Sequence, residues 1–428
     1  MRIGAATVFG LVLVIAGCGR SSTSEISASK LAIEPSELKI DVNDWPMWRG
    51  PNADGIGVGP AVPTKWTETE NIAWKAKLPG RGHSSPIIMG DRIYLETADE
   101  QKKIQSVICL DRKDGTQIWQ KPLFEGNFET AMHGENTQAT STLACDGERL
   151  CALFLNDHKI WAIALDLDGN EIWKTDVGRF ASKFGYSASP TLYKSLILLA
   201  GDHQQGGFIA ALNRADGAIV WRKSRPAKSS YASPRVVSLG GKDQLVVCGC
   251  NLVASYDPMT GDQLWSTPGT AEAGVGSPVV AGDLVFASGG YPEQETIALK
   301  SDGSAAWRNK IKSYVPSLLT VDDHLYIVSD DGIARCYEAA TGHERWMKRI
   351  GGNFRVSPVA SGKNIITTDM SGKTTVFKAN PEKYELVDEN HLGTEGFSSP
   401  AISRGQLFLR VADSSQGQRQ EWLYCIAQ

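Results

Sequence analysis

Apolar residues along this chain come in short runs, each closed by turn residues. The runs at 92–95, 284–287, 325–328 and 407–409 are of this kind. Runs this short between Gly, Asp and Asn predict strands. Two markers recur between them. In the first, a Gly is followed four residues later by a Trp, at Gly115/Trp119, Gly169/Trp173, Gly217/Trp221, Gly261/Trp265, Gly303/Trp307 and Gly342/Trp346. A small side chain precedes each Gly by five or six positions: Cys109, Ala164, Ala211, Ser255, Ala298 and Cys336. The second marker is Ser-Pro, at 85/86, 189/190, 233/234, 277/278, 357/358 and 399/400, with Val315 and Pro316 read as a variant. The prolines are spaced 104, 44, 44, 38, 42 and 42 residues apart. The long gap is about two repeats, and Thr140, Ser141, Thr142 and Leu143 fill its middle.

These intervals give eight units of about 42 residues, each with room for four short strands, the signature of propeller blades. The predicted fold is all-β: an eight-bladed β-propeller with four-stranded blades. The prolines open the first strand of each unit, where a missing N–H costs no ladder bond. The Gly takes the tight turn, and the Trp on the next strand packs between neighbouring sheets. The docking tryptophans are Trp74, Trp119, Trp173, Trp221, Trp265, Trp307 and Trp346. In unit seven Leu386 stands where Trp is expected. The last unit ends after its third strand, near Trp422 to Ile426. A strand from Asn71 to Trp74 has no blade before it. This N-terminal strand is predicted to complete the last blade, closing the ring and removing its open edge.

The repeat resembles the PQQ-like β-propeller family, also called the quinoprotein alcohol dehydrogenase-like fold, over about residues 70–428. That family carries an Ala-x-Asp-x-x-x-Gly-x-x-x-Trp pattern. It includes PQQ-dependent dehydrogenases and the non-enzymatic outer-membrane lipoprotein BamB, so the resemblance implies fold more narrowly than function. The stretch from Trp45 to Gly55 resembles the opening of exported PQQ-like propellers. It is read as a structural strap, with Trp45 and Trp48 packed on the ring.

The chain's start changes where such a propeller would sit. Arg2 supplies a positive charge, residues 5–17 are apolar, and Ile15, Ala16, Gly17 and Cys18 resemble a bacterial lipobox. The resemblance implies that Cys18 is lipidated, with 1–17 a signal peptide. Gly19 after the Cys implies an outer-membrane destination, facing the periplasm. Residues 18–44 read as a flexible, serine-rich tether, leaving 45–428 as the propeller. The other seven cysteines (109, 145, 151, 248, 250, 336 and 425) are odd in number and sit in apolar strands, so they read as small buried side chains. The formal net charge of −4 argues against nucleic acid as a partner.

Candidate chemistry was weighed against the resemblance. Quinoprotein dehydrogenases hold PQQ between a Trp face and a disulfide of adjacent cysteines, with Ca²⁺ and an Asp base. Here Cys248 and Cys250 are separated by Gly249. Glu135 beside Asn136 offers one fragment of a Ca²⁺ ligand set. The seven histidines show no zinc spacing, and no nucleophile elbow occurs. Asp322 with Asp323 and Asp330 with Asp331 read as solvated turn residues. The loops before each Ser-Pro enter the innermost strand and should gather at the axis. They carry Arg81, His83, His133, Glu135, Phe184, Tyr186, Tyr231, Tyr314, Phe354, Arg355, Glu395 and Phe397, polar and aromatic groups suited to an interface. The reading is a monomeric, lipid-anchored, BamB-like scaffold or binding module of the cell envelope, with a protein or peptide partner on this face and no cofactor. The alternative is an alcohol or sugar dehydrogenase using PQQ with Ca²⁺.

The anchor reading is tested at its one covalent residue. Cys18→Ser should leave the chain unprocessed or release it from the membrane fraction. Unchanged membrane attachment of that variant would refute it.

Overall fold

The computed structural model describes residues 37–130 and 132–428, together with Met1. Cys18, the signal segment and the tether up to residue 36 lie outside the described residues. The described residues contain 33 strands and no helix, arranged as eight blades in a ring. Blades 1 to 7 each use four consecutive strands, spanning 87–125, 144–179, 191–224, 235–268, 279–309, 319–349 and 359–391. Blade 8 is composite. Its first three strands lie in 401–426, and its fourth is Ile72–Leu78, antiparallel to Gln420–Ile426 with Trp74 opposite Cys425. The N-terminal strand therefore closes the ring.

Within a blade, burial falls from inside to outside. The second and third strands are buried on both faces, as in Arg92–Asp99 and Ile104–Asp111, which is why they read as continuous apolar runs. Fourth strands such as Gln263–Pro268 are exposed or half-buried along their length. First strands are short and converge on the axis. There a ladder of hydroxyls joins them. The Ser85 N–H donates to Thr142 Oγ1, Thr142 N–H to Ser189 Oγ, and Ser189 N–H to Ser233 Oγ, at 2.8–3.0 Å. The same step links Ser277 to Ser317, Ser317 to Ser357, and Ser357 to Ser399. This explains the Ser of four Ser-Pro pairs, Ser189, Ser233, Ser357 and Ser399, whose hydroxyls satisfy a buried N–H of the preceding blade, whereas Ser277 Oγ accepts from Trp48 and Ser85 Oγ has no partner among the described residues. It also corrects the repeat register. In blade 6 the ladder residue is Ser317, so Ser317 and Leu318 are the counterpart of Ser-Pro, and Val315 with Pro316 is not.

The outer junctions rest on tryptophan. Each docking Trp crosses to the next blade, where all but Trp346 lie on its turn glycine; Trp346 meets Tyr384 of blade 7 edge-on instead. The ring of Trp221 covers Gly261, where an added methyl group would meet it at 2.6 Å, and its Nε1–H donates to the Pro258 carbonyl at 3.1 Å. Trp74, Trp119, Trp173, Trp307 and Trp346 likewise donate to backbone carbonyls of the following blade. Trp265 covers Gly303 but donates to Gln244 of its own blade. The small side chains noted in the sequence lie directly across from these tryptophans, as Ala211 does from Trp221, which leaves room for the indole. Gly261 has φ +71°, so the turn needs a residue without a Cβ for conformation as well as for space.

Blade 7 departs from the expected pattern. Register places Asp388, not Leu386, at the Trp position, and Leu386 is exposed. Asp388 accepts a hydrogen bond from Thr64 at 2.6 Å, and Asn390 accepts the N–H of buried Trp66. The segment leading to the closing strand thus covers the junction between blades 7 and 8.

The strap from Trp45 onward is not packed on the ring; it runs inside it. Trp45 pairs with Ile88 of blade 1, and the Pro46 carbonyl accepts Cys145 N–H of blade 2. Arg49 donates to Leu318 and Pro358 of blades 6 and 7, and Asn52 accepts from Arg235 of blade 4. Ile56–Gly57 then adds a fifth, parallel strand to the inner edge of blade 7. Arg49 is 2% exposed, and burial, with Arg235 nearby, pulls its guanidinium down to about 9. The plug ties blades together through groups that the blades cannot satisfy among themselves.

Trp221→Ala should destabilise the protein by about 3–5 kcal/mol through the void left between blades 3 and 4. Gly261→Ala should also destabilise it, through clash and positive φ. The double variant should lose less than the sum, because removing the indole relieves the clash. Thermal melts of the four proteins check this; strict additivity would refute the docking contact.

Candidate functional site

The loops before the first strands form a cup at one end of the plugged channel, with a cavity of about 420 Å³. Its floor is the plug itself. Trp48 is the one residue between Asp44 and Gly50 that is not buried, and its Nε1–H is held by Ser277 Oγ at 3.2 Å. Around the floor sit the ladder hydroxyls Thr142, Ser189, Ser233, Ser357 and Ser399. Rings stand above them. His83 stacks on Phe397 at 4.6 Å with planes 8° apart, and Phe184 meets Tyr231 edge-on at 6.0 Å. Tyr231 shares a hydrogen bond with Ser182 at 2.7 Å, and burial raises both its hydroxyl and that of Tyr314, the latter to about 12.

One ion pair spans the mouth. Arg355 of the loop entering blade 7 donates to Glu135 of the loop entering blade 2 at 2.8 Å. Behind it lies Asp330, 3.7 Å from the same guanidinium. Asp330 is buried and accepts the N–H groups of Tyr314 and Val315, so it is a structural acceptor at the cup's edge rather than a solvated turn residue. Asn136 is similarly committed. Its Oδ1 accepts from Thr137 and Thr140, and its Nδ2 donates to the Phe184 carbonyl, which fixes the loop that carries His133 and Glu135.

His83 is held neutral. Burial pushes its pKa well below the usual value, with Arg81, Arg410 and Arg419 adding positive potential. Its Nε2 is buried and has no hydrogen-bond partner among the described residues.

Of the residues singled out in the sequence, His83, His133, Glu135, Tyr231, Tyr314 and Arg355 line the cup, with Phe184 and Phe397. Four others do not. Tyr186 points into the blade core, where its hydroxyl donates to the Ala200 carbonyl. Phe354 is buried among the apolar residues of blades 6 and 7. Arg81 turns outward to Glu100 and the Gly134 carbonyl. Glu395 pairs with Arg419, which reaches Glu421 and through it Arg410. Arg410 donates to the Ser84 and Glu96 carbonyls, so this chain clasps blade 8 to blade 1. Trp48 and the hydroxyl ladder were missed as site residues. The only sequence signal for them is the repetition of Ser before Pro, which reads first as strand punctuation.

The donor set of the cup does not fit PQQ with Ca²⁺. PQQ is a tricarboxylate, yet the one guanidinium lining the cup is already paired with Glu135. Asn136 has no free acceptor to offer a cation, and no group of three or more metal-binding side chains occurs among the described residues. Cys248 and Cys250 are free and buried. Burial pushes the Cys248 thiol up to about 12, and Cys250 upward as well.

Fold and cup define an eight-bladed propeller of the PQQ-like repeat class. The family model described as outer membrane protein assembly factor BamB matches residues 61–161 and 103–348, more than half of the chain, and the chain belongs to that family. An outer membrane protein assembly factor BamB of Burkholderia pseudomallei is 26% identical over 377 residues, covering 74% of this chain and 91% of that protein. The crystal structure of BamB from Moraxella catarrhalis superposes with a TM-score of 0.58 at 16% identity, over 81% of this chain and 98% of that one. A quinohemoprotein alcohol dehydrogenase from Comamonas testosteroni superposes with a TM-score of 0.65 at 10% identity, over 90% of this chain and 81% of that one. At these identities the solved structures speak for the fold alone.

The Arg355–Glu135 pair is part-exposed, so it should organise the mouth more than it stabilises the ring. A double-mutant cycle of Arg355→Ala and Glu135→Ala should give a coupling below about 1 kcal/mol in thermal stability. A coupling of several kcal/mol would make the pair a structural strut instead.

Proposed function

We propose that this protein is a non-catalytic scaffold of the bacterial cell envelope, BamB-like, held to the outer membrane through Cys18 and presenting the cup face to a protein partner in the periplasm. The observation that carries the reading is the cup's committed chemistry in a chain of the BamB family. Arg355 is neutralised by Glu135, Asn136 is spent on its own loop, and His83 is stacked and neutral. What remains facing the cup is a ring of aromatic edges above buried hydroxyls, a surface for contact rather than for proton or electron transfer. Membership in the family supports the assembly role, since relatives such as the Burkholderia pseudomallei protein carry the name of outer membrane assembly factors.

A second reading, a PQQ-dependent alcohol or sugar dehydrogenase, draws on the likeness to the Comamonas testosteroni enzyme in fold. It would need a quinone platform, a cation and a base together; Trp48 offers a ring, but Glu135 is paired with Arg355 and no group of three or more metal-binding side chains occurs among the described residues.

Deletion in the native bacterium should lower the amount of folded β-barrel protein in the outer membrane, and the Glu135→Ala chain should restore it. With PQQ and Ca²⁺ the purified protein should reduce no dye with alcohols or sugars. Substrate-dependent dye reduction that is abolished by Glu135→Ala would overturn the scaffold in favour of the enzyme.

A further inference from the structure

We propose that the cup is a binding site for a neutral carbohydrate, one or two pyranose rings laid against Trp48. This goes beyond the scaffold reading and does not depend on it: the saccharide takes the floor of the cup, and the rim is left to the protein partner.

The first observation is the hydroxyl floor. Thr142, Ser189, Ser233, Ser357 and Ser399 are each at least 94% buried, and each oxygen accepts a backbone N–H from the preceding blade. Among the described residues none of these five hydroxyls has an acceptor for its own proton. Buried donors of this kind require acceptors. The neutral His83 adds a sixth polar group, its Nε2 buried without a partner at the same cavity. The second observation is the platform. Trp48 faces the cavity with its N–H already satisfied by Ser277, so what it offers a ligand is the apolar ring. Tyr231, Tyr314 and Phe184 add further rings at the wall. The third is charge. Arg355 and Glu135 cancel each other, and they are the only Arg, Lys, Asp or Glu side chains among the described residues that line the cup.

A ligand for this site must be uncharged, rich in oxygen acceptors, and apolar on one face. A pyranose has that combination: its C–H face stacks on an aromatic ring while its hydroxyl and ring oxygens accept from the floor. An apolar anchor from a protein partner would fill the space but cover five hydroxyls that it cannot satisfy, at a cost for each. The cavity of about 420 Å³ lies within the range of about 300–1,000 Å³ usual for small-ligand sites.

The test is calorimetry and tryptophan fluorescence on the purified full chain. The probes are glucose, galactose, mannose, N-acetylglucosamine and their α- and β-linked disaccharides, set beside PQQ and a neutral aromatic hexapeptide. At least one saccharide should saturate with a Kd below about 1 mM and change the fluorescence. Trp48→Ala should abolish the fluorescence change. Because Trp48 belongs to the plug, Tyr314→Ala is the second variant; it should weaken binding about tenfold while the melting temperature holds. No saccharide binding up to about 50 mM would overturn the proposal. So would saccharide binding that Tyr314→Ala leaves unchanged, or hexapeptide binding with which no saccharide competes.

Discussion

Eight sheets set around an axis leave eight inner strands whose edges face an empty channel. Unpaired N–H and C=O groups there would be buried without partners, and the cost of such groups is what the centre of this molecule is built to avoid. Two devices answer it. The hydroxyls of Thr142, Ser189, Ser233, Ser317, Ser357 and Ser399 each take up an N–H of the preceding blade, so that these inner strands are joined to their neighbours without a continuous sheet. The segment from Trp45 to Gly57 then occupies the channel, pairing with Ile88, supplying the Pro46 carbonyl to Cys145, and adding a strand to blade 7. Arg49 completes the seal by bonding carbonyls of two blades from within.

The plug also makes the site. Without it the loops before the first strands would open onto a through-channel; with it they enclose a cup whose floor is Trp48. Because the same hydroxyls that join the blades line that floor, the ring's architecture and the cup's recognition chemistry share one set of atoms. The hydroxyl oxygen is spent on structure, and the hydroxyl proton is left to the ligand. The ion pair between Arg355 and Glu135 links loops of blades 7 and 2 across the mouth, which keeps the cup neutral and its rim in one shape.

At the periphery a different contact dominates. Indole on glycine, with a small residue opposite, repeats from blade to blade, and where it fails at blade 7 the chain's own entry segment takes over through Thr64 and Trp66. The junction between blades 8 and 1 carries two fastenings at once. Trp74 docks on Gly115, and the buried Arg410 reaches from Glu421 to the carbonyls of Ser84 and Glu96. This is the junction where the chain's two ends meet in one blade, and it is the one that must hold if the ring is to stay closed.

Much of this was legible in the residues. The Ser-Pro spacing of about 42 residues led to the number of blades, and the Gly-to-Trp interval to the docking contacts, since indole, turn and small partner are all local signals repeated at one period. The closing strand followed from a Trp without a blade before it. That certain loop residues would lie together was legible because loops before inner strands must converge: His83, His133, Glu135, Tyr231, Tyr314 and Arg355 all line the cup. The errors have a common cause. Whether Tyr186 or Phe354 turns to the cup or to the core depends on one χ angle and on which neighbour is nearer, and spacing does not encode either. Leu386 was misplaced because a bulge sets the register of the fourth strand, which only the paired strand reveals. That Asp330 is buried, that Glu395 belongs to the closure clasp, and that the strap lies inside the ring rather than on it are all contacts between residues far apart in the chain. Sequence periodicity specifies each blade's own strands; what fills the space between blades is decided only when all eight are brought around the axis.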